Sequence, residues 1–160
     1  MKTLMIFGQN SEVIEQKSDR DSLEFRDNKI FITSYERDPG FLLREFLEDL
    51  LYTQLSEIYE EIRGEGKIDV FGNLDFEVVE KIDGRRERIA KLKGNKIIVK
   101  LSAVALPKGA LKYVIAHEMA HILTKKHTKK FWKIVETIYP EFKAGLRDFM
   151  EYGKVASGVL

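Results

Sequence analysis

The chain has no cysteine, which removes disulfide scaffolds, thiol nucleophiles and cysteine-ligated zinc ribbons. Any transition metal must therefore be held by His, Asp or Glu, and histidine is itself scarce, with three in 160 residues. Long apolar runs are missing too. Leu4-Met5-Ile6-Phe7 is too short for the hydrophobic part of a signal peptide and reads as a strand. Nothing approaches the roughly 20 apolar residues that span a bilayer, so a cytoplasmic location and no membrane partner are expected. There is no internal repeat, low-complexity tract or linker. Hydrophobic residues at 44% and charged ones at 33% then describe one globular domain over residues 1–160.

The net charge of +1 hides an asymmetry. Residues 1–66 carry 8 basic and 15 acidic side chains (net −7), and residues 67–160 carry 19 and 11 (net +8). Two solvated faces of opposite sign account for this, as does a positive field around whatever the C-terminal half binds.

The periodicities predict an α+β fold. The first 35 residues read as strands, with Asp27-Asn28 as a hairpin turn between Ser22-Leu-Glu-Phe and Lys29-Ile-Phe-Ile-Thr. Asp38-Pro39 supplies a cap and a first helical position. Behind it Leu43, Phe46, Leu47, Leu50, Leu51, Leu55, Ile58 and Ile62 recur at helical spacing, to a stop at Gly64 and Gly66. The acidic outer face of that helix (Glu45, Glu48, Asp49, Glu57, Glu60, Glu61) reads as solvation. A small antiparallel sheet is expected next. Asp75 to Ile82 turns at Asp83-Gly84, Arg86 to Lys93 returns, and Lys96 to Leu101 follows the Gly94-Asn95 turn. Pro107 marks the start of a helix running from Ala110 to about Thr124. Two C-terminal helices follow, one built on Phe131, Ile134, Val135 and Ile138 and one over about Glu141 to Glu151, before Gly153.

The segment that carries chemistry is His117-Glu118-Met119-Ala120-His121. Residues four apart on a helix differ by about 40° in azimuth and sit one turn above each other, so two imidazoles at this spacing converge on one ion. Glu118 lies about 100° round from His117, beside the metal rather than on it. That position suits a base that activates zinc-bound water and hands the proton to a leaving group. Chance would leave both histidines exposed on a polar helix. Here all three histidines fall within eleven residues, and the flanks Tyr113-Val-Ile-Ala and Ile122-Leu123 are apolar.

A catalytic zinc needs a third protein ligand. Six further residues of helix would turn His127 away from His121 by about 240°, so a bend is expected at Thr124-Lys125-Lys126. Glu136 or Glu141 is the rival ligand. His127 is favoured because imidazole is the commonest protein ligand for such a metal. The His-x5-His spacing equals that of the metzincins, but Thr124 replaces their central glycine and no Met-turn follows.

Read with its flanks, Tyr113-Val-Ile-Ala-His-Glu-Met-Ala-His-Ile-Leu, then His127-Thr-Lys-Lys-Phe131-Trp132 and Pro140, the segment resembles the YgjP-like metallopeptidase domain. The SprT and WLM proteases share the pattern, and Pro107 falls where the family has a proline before its active-site helix. The resemblance covers about residues 94–147. It implies a zincin-like fold, Zn2+ held by His117, His121 and His127, Glu118 as base, and a peptide or protein substrate. Where the family carries Arg-Trp-Gly-Ser-Cys on the preceding strand, this chain has Arg85-Arg86-Glu87-Arg88-Ile89-Ala90. Among these arginines Arg88 is favoured as the substrate contact, over Arg85, Arg86 and the more distant Arg147.

Two other functions compete with a small zinc peptidase. One is hydrolysis of a nucleotide phosphate, an activity ascribed to bacterial members of the same family. Against it, no Gly-rich phosphate loop is present, and an all-histidine site suits zinc better than magnesium. The other is a nucleic-acid-associated protease or binding module. Between Lys108 and Lys133 lie seven lysines and one acid, Glu118, and Lys125, Lys126, Lys129 and Lys130 bracket His127. Phe131 and Trp132 could stack on bases, but their spacing with Val135 and Ile138 reads as core.

Overall fold

The computed structural model describes residues 2–66, 74–82 and 88–156, the last three by backbone alone. The order is β1 (Lys2–Ile6), β2 (Gln9–Lys17), β3 (Ser22–Arg26), β4 (Lys29–Ser34), α1 (Pro39–Gly64), β5 (Asp75–Val79), β6 (Ala90–Lys93) and β7 (Lys96–Lys100). A 3-10 turn over Leu101–Ala105 leads into α2 (Lys108–Leu123), α3 (Lys129–Ile138) and α4 (Phe142–Ala156). The fold is α+β, as the periodicities predict.

The N-terminal sheet has the order β1-β2-β4-β3, with β2 and β4 parallel and both edge pairs antiparallel. Asp27 and Asn28 take φ values of 53° and 57°, the left-handed pair a tight hairpin needs and that Asn and Asp tolerate. Along β4 Ile30, Ile32 and Ser34 point inward in strict alternation. They face α1, whose Phe46 meets Phe25 edge-on at 5.8 Å. α1 begins where Asp38 accepts a hydrogen bond from the Phe41 amide at 3.2 Å, with Pro39 at the first helical position. Its stripe of Leu51, Leu55 and Ile58 is fully buried, each worth about 1.5–3 kcal/mol relative to exposure.

The second sheet corrects the expected all-antiparallel arrangement. Its order is β5-β7-β6, with β5 parallel to β7, so β5 and β6 are not neighbours. The reason lies in β7. Ile97, Ile98 and Val99 are all buried, and a strand apolar on both faces takes the centre with a partner on each side. β5 ends at Val79 and β6 begins at Ala90, both shorter than expected, and the Asp83-Gly84 turn lies outside the described residues. A further correction concerns α4, which runs through Gly153 to Ala156 rather than stopping before it.

Two ties hold α2 in place from outside. The Phe7 and Gly8 amides of the β1–β2 turn donate to the Val104 and Ala105 carbonyls at 2.7 and 2.8 Å, fixing the 3-10 turn that feeds α2. Gly8 has φ +84°, and a Cβ there would stand 3.0 Å from Pro107. On the other flank acids at and just past the end of α1 face α2, Glu61 reaching Lys108 at 3.0 Å and Glu65 reaching Lys112 at 3.8 Å. The acidic face of α1 is thus not solvation alone. α2 itself is buried on most sides, including Leu111, Val114, Ile115, Ala116, Met119 and Ala120.

Candidate metal centre

α2 ends at Leu123 because Thr124 leaves the helix for extended backbone, φ −152° and ψ 135°. The bend falls where the sequence predicts it, and it turns the chain so that α3 can start at Lys129. His127 thereby returns over the end of α2. The nitrogen donor atoms of His117, His121 and His127 that could hold an ion all lie within 4.8 Å of one another. Nε2 of His127 is 3.1 Å from Nε2 of His121. Glu136 and Glu141 are not in this group.

The rings are held by what lies around them. Nδ1 of His121 is 3.2 Å from the Thr124 carbonyl, to which it can only donate, so the proton sits there and Nε2 keeps its lone pair. Burial first, and then the adjacent His117, hold the His121 imidazolium below its ordinary range, so the ring is neutral near pH 7. A neutral imidazole is the form that binds a cation. Phe131, fully buried on α3, packs against all three imidazoles, at 5.2 Å from His117, 4.7 Å from His121 and 4.8 Å from His127. It is core, as its spacing predicts, but core that serves as a platform for the three rings.

Glu118 is 6% exposed, one of few charged side chains buried among the described residues. Its Oε2 lies 2.7 Å from Nδ1 of His117, and a carboxylate taken from water needs such a donor. Both residues line a cavity of about 310 Å³ together with His121 and His127. Arg88 lines it as well, its Nε donating to the Ala90 carbonyl at 3.3 Å. Arg85 and Arg86 lie outside the described residues, and Arg147, on α4, is not among the lining residues.

The apolar side of this cavity was not singled out in the sequence. It consists of Ile89, Ala90, Tyr113, Val114 and Phe149. Tyr113 precedes His117 by four residues and so shares its helix stripe, which is the signal that could have found it. Burial, then the Glu118 carboxylate, pushes the Tyr113 phenol up, keeping it a neutral hydrogen-bond donor. Phe149 comes from α4, 5.8 Å from Tyr113, and only the tertiary fold brings it there.

The structure thus places a three-imidazole group, a buried carboxylate and an arginine around one hollow. Residues 90–150 match the YgjP-like metallopeptidase domain. No curated protein and no solved structure matches the chain. The YgjP-like match runs from the first residue of β6 into α4, so it contains the three histidines, Glu118, Tyr113 and Phe149 but not Arg88. The matched domain is that of a metallopeptidase family, and the three histidines within it form a group that could hold a metal ion.

The lysines separate into two sets. Lys108 and Lys112 pair with α1, whereas Lys125, Lys126, Lys129 and Lys130 are exposed at the bend and form no ion pair among the described residues. No described helix is long and apolar enough to cross a membrane.

Proposed function

We propose that this chain is a zinc-dependent peptidase, in which His117, His121 and His127 hold the ion and Glu118 is the general base. The observation that carries the reading is the convergence of three imidazole nitrogens over a cavity that also holds a buried carboxylate. The donor set fits zinc. It is all nitrogen, one ring is held neutral, and three protein ligands leave a fourth position for chemistry. Bound there, zinc supplies Lewis acidity, making water acidic near neutrality and polarising a scissile carbonyl.

The protein's own groups do the rest. Glu118 accepts a proton from the attacking water and returns it to the leaving amine, while Nδ1–H of His117 fixes one of its oxygens. Arg88 lines the cavity wall, which supports a role for it as a donor to a substrate carbonyl.

A second reading, a nucleic-acid-associated peptidase, is favoured by the exposed lysines of the bend. Nucleotide hydrolysis has no comparable support, since the sequence holds no Walker-type Gly-rich phosphate loop. The deciding experiment offers zinc-loaded full-length protein a capped peptide library and a panel of nucleoside triphosphates. Peptide cleavage is expected, and Glu118→Gln should retain zinc while turnover falls by about a hundredfold or more. Phosphate release without peptide cleavage, or full activity in Glu118→Gln, overturns the proposal.

A further inference from the structure

A second hollow, of about 470 Å³, adjoins the first and shares His127 as a wall. Its floor is aromatic. The His127 ring lies nearly parallel to Trp132 (28°, 6.2 Å), and Trp132 to Phe142 (22°, 6.0 Å). Its rim is cationic, with Lys129, Lys133 and Lys143 against one carboxylate, Glu136. All three lysines are exposed and have no carboxylate partner among the described residues. The two hollows therefore differ in chemistry on either side of one imidazole, apolar at Tyr113, Val114 and Phe149, and aromatic with a positive rim at Trp132 and the lysines.

We propose that the site takes an extended peptide laid across His127, with an apolar side chain in the first hollow and an acidic side chain in the second. The proposal deepens the peptidase reading by naming the substrate class. An extended chain suits the shape because its side chains project to alternate sides at about 3.3 Å per residue. A residue on each side of a bond held over the imidazoles can then reach its own hollow. The apolar one gains burial against Tyr113 and Phe149. The acidic one meets three ammonium groups, and its own aliphatic stem lies over Trp132. A basic residue there meets net repulsion, so the rim selects against it as well as for an acid.

Binding and cleavage are measured separately so that the two readings can fail separately. Zinc-loaded Glu118→Gln protein is titrated into dye-labelled peptides capped at both ends, so that no terminal charge contributes. Each peptide carries Leu or Phe followed by Glu, Gln or Lys, in both orders. The Glu peptides are expected to bind about tenfold more tightly than their Gln twins at low salt, a difference that two or three exposed ion pairs can supply. Lys133→Gln combined with Lys143→Gln should remove that preference. Phe149→Ala should weaken the Glu and Gln peptides alike and leave their ratio unchanged.

Equal affinity for Glu and Gln peptides, or a preference that survives the double lysine variant, overturns the proposal. So does a short single-stranded oligonucleotide that displaces the Glu peptide at a lower concentration than unlabelled peptide does, since a nucleic acid then owns the rim. Cleavage of all three peptide classes at equal rates by the wild type likewise sinks the proposal while leaving the peptidase reading intact. Preferential binding of Glu peptides with no cleavage of any peptide by the wild type supports it and sinks the peptidase reading instead.

Discussion

Nε2 of His121 and Nε2 of His127 stand 3.1 Å apart across the break that ends α2. Had the helix continued, six residues would have carried His127 about 240° round the axis. Extended backbone at Thr124 is what brings it back.

The first prediction follows from that convergence. His127→Ala should weaken zinc binding by more than about a hundredfold, beyond the 10–100-fold that loss of an outer hydrogen-bond partner costs. Glu136→Ala, on the far side of His127 in the second hollow, should leave it unchanged. Zinc retained after chelator competition measures both. Trp132, the only tryptophan in the chain, lies 6.2 Å from the His127 ring and offers an independent fluorescence signal on metal titration. If the Glu136 variant loses zinc and the His127 variant keeps it, the third ligand is misassigned.

A second prediction concerns the crossing that delivers Phe149. A Cβ at Gly145 would stand 2.5 Å from the Gly109 carbonyl oxygen and 2.8 Å from Tyr139. The two helices therefore touch backbone to backbone just before Tyr113 on one and Phe149 on the other. Gly145→Ala should force them apart at a cost of about 1–3 kcal/mol. Gly153→Ala, further along the same helix with nothing within 4 Å, should be neutral or stabilising by up to about 1 kcal/mol. Urea midpoints of the two variants should move in opposite directions or at least far apart. Equal shifts mean that the crossing is not tight.

The local features of this fold were legible because their causes are local. The Asp38 cap, the Asp27-Asn28 turn, the stripe of α1 and the bend after Leu123 each follow from residues adjacent in sequence. So does the pairing of His117 with His121, which helix geometry alone dictates. Strand order was not legible. Three short strands joined by turns read as a meander, and only the burial of β7 on both faces puts it between β5 and β6. The same limit hid the apolar wall of the site, because Ile89, Tyr113 and Phe149 come from three segments separated by many residues. The Leu101–Ala105 turn was missed because a run of small apolar residues before Pro107 carries no period to read.

Acid should unfold the chain partly through Asp21. Its Oδ1 accepts the Tyr35 amide at 2.6 Å, and this bond first of all holds its carboxyl below the ordinary range, with the Arg37 amide adding to it. Asp75 is held down in the same way by the Phe76 amide and then the Tyr52 hydroxyl. A carboxyl whose folded pKa is depressed stabilises the fold above its unfolded value, about 3.9, and that contribution drains away as pH falls through the lower folded value. Asp21→Asn and Asp75→Asn should each flatten the dependence of the urea midpoint on pH below about 4. An acid limb as steep in both variants as in the wild type removes these two groups from the account.

The last prediction tests whether the lysine bend carries a polyanion. Lys125, Lys126, Lys129 and Lys130 are exposed on both sides of His127, so the turn that returns the third imidazole also projects positive charge beside the site. Competing carboxylates are few there, since the acids of α1 reach Lys108 and Lys112 instead. Binding that works through phosphates releases condensed counterions, so it should be weak, indifferent to base sequence and steeply reduced by salt. Reversing Lys126, Lys129 and Lys130 to Glu should abolish it and leave zinc bound, because none of the three is in the imidazole group. Fluorescence anisotropy with a labelled duplex at low salt, wild type beside the triple variant, decides the matter. Absence of binding by the wild type, or binding that the reversal leaves intact, makes the bend a solvated face and confines recognition to the two hollows.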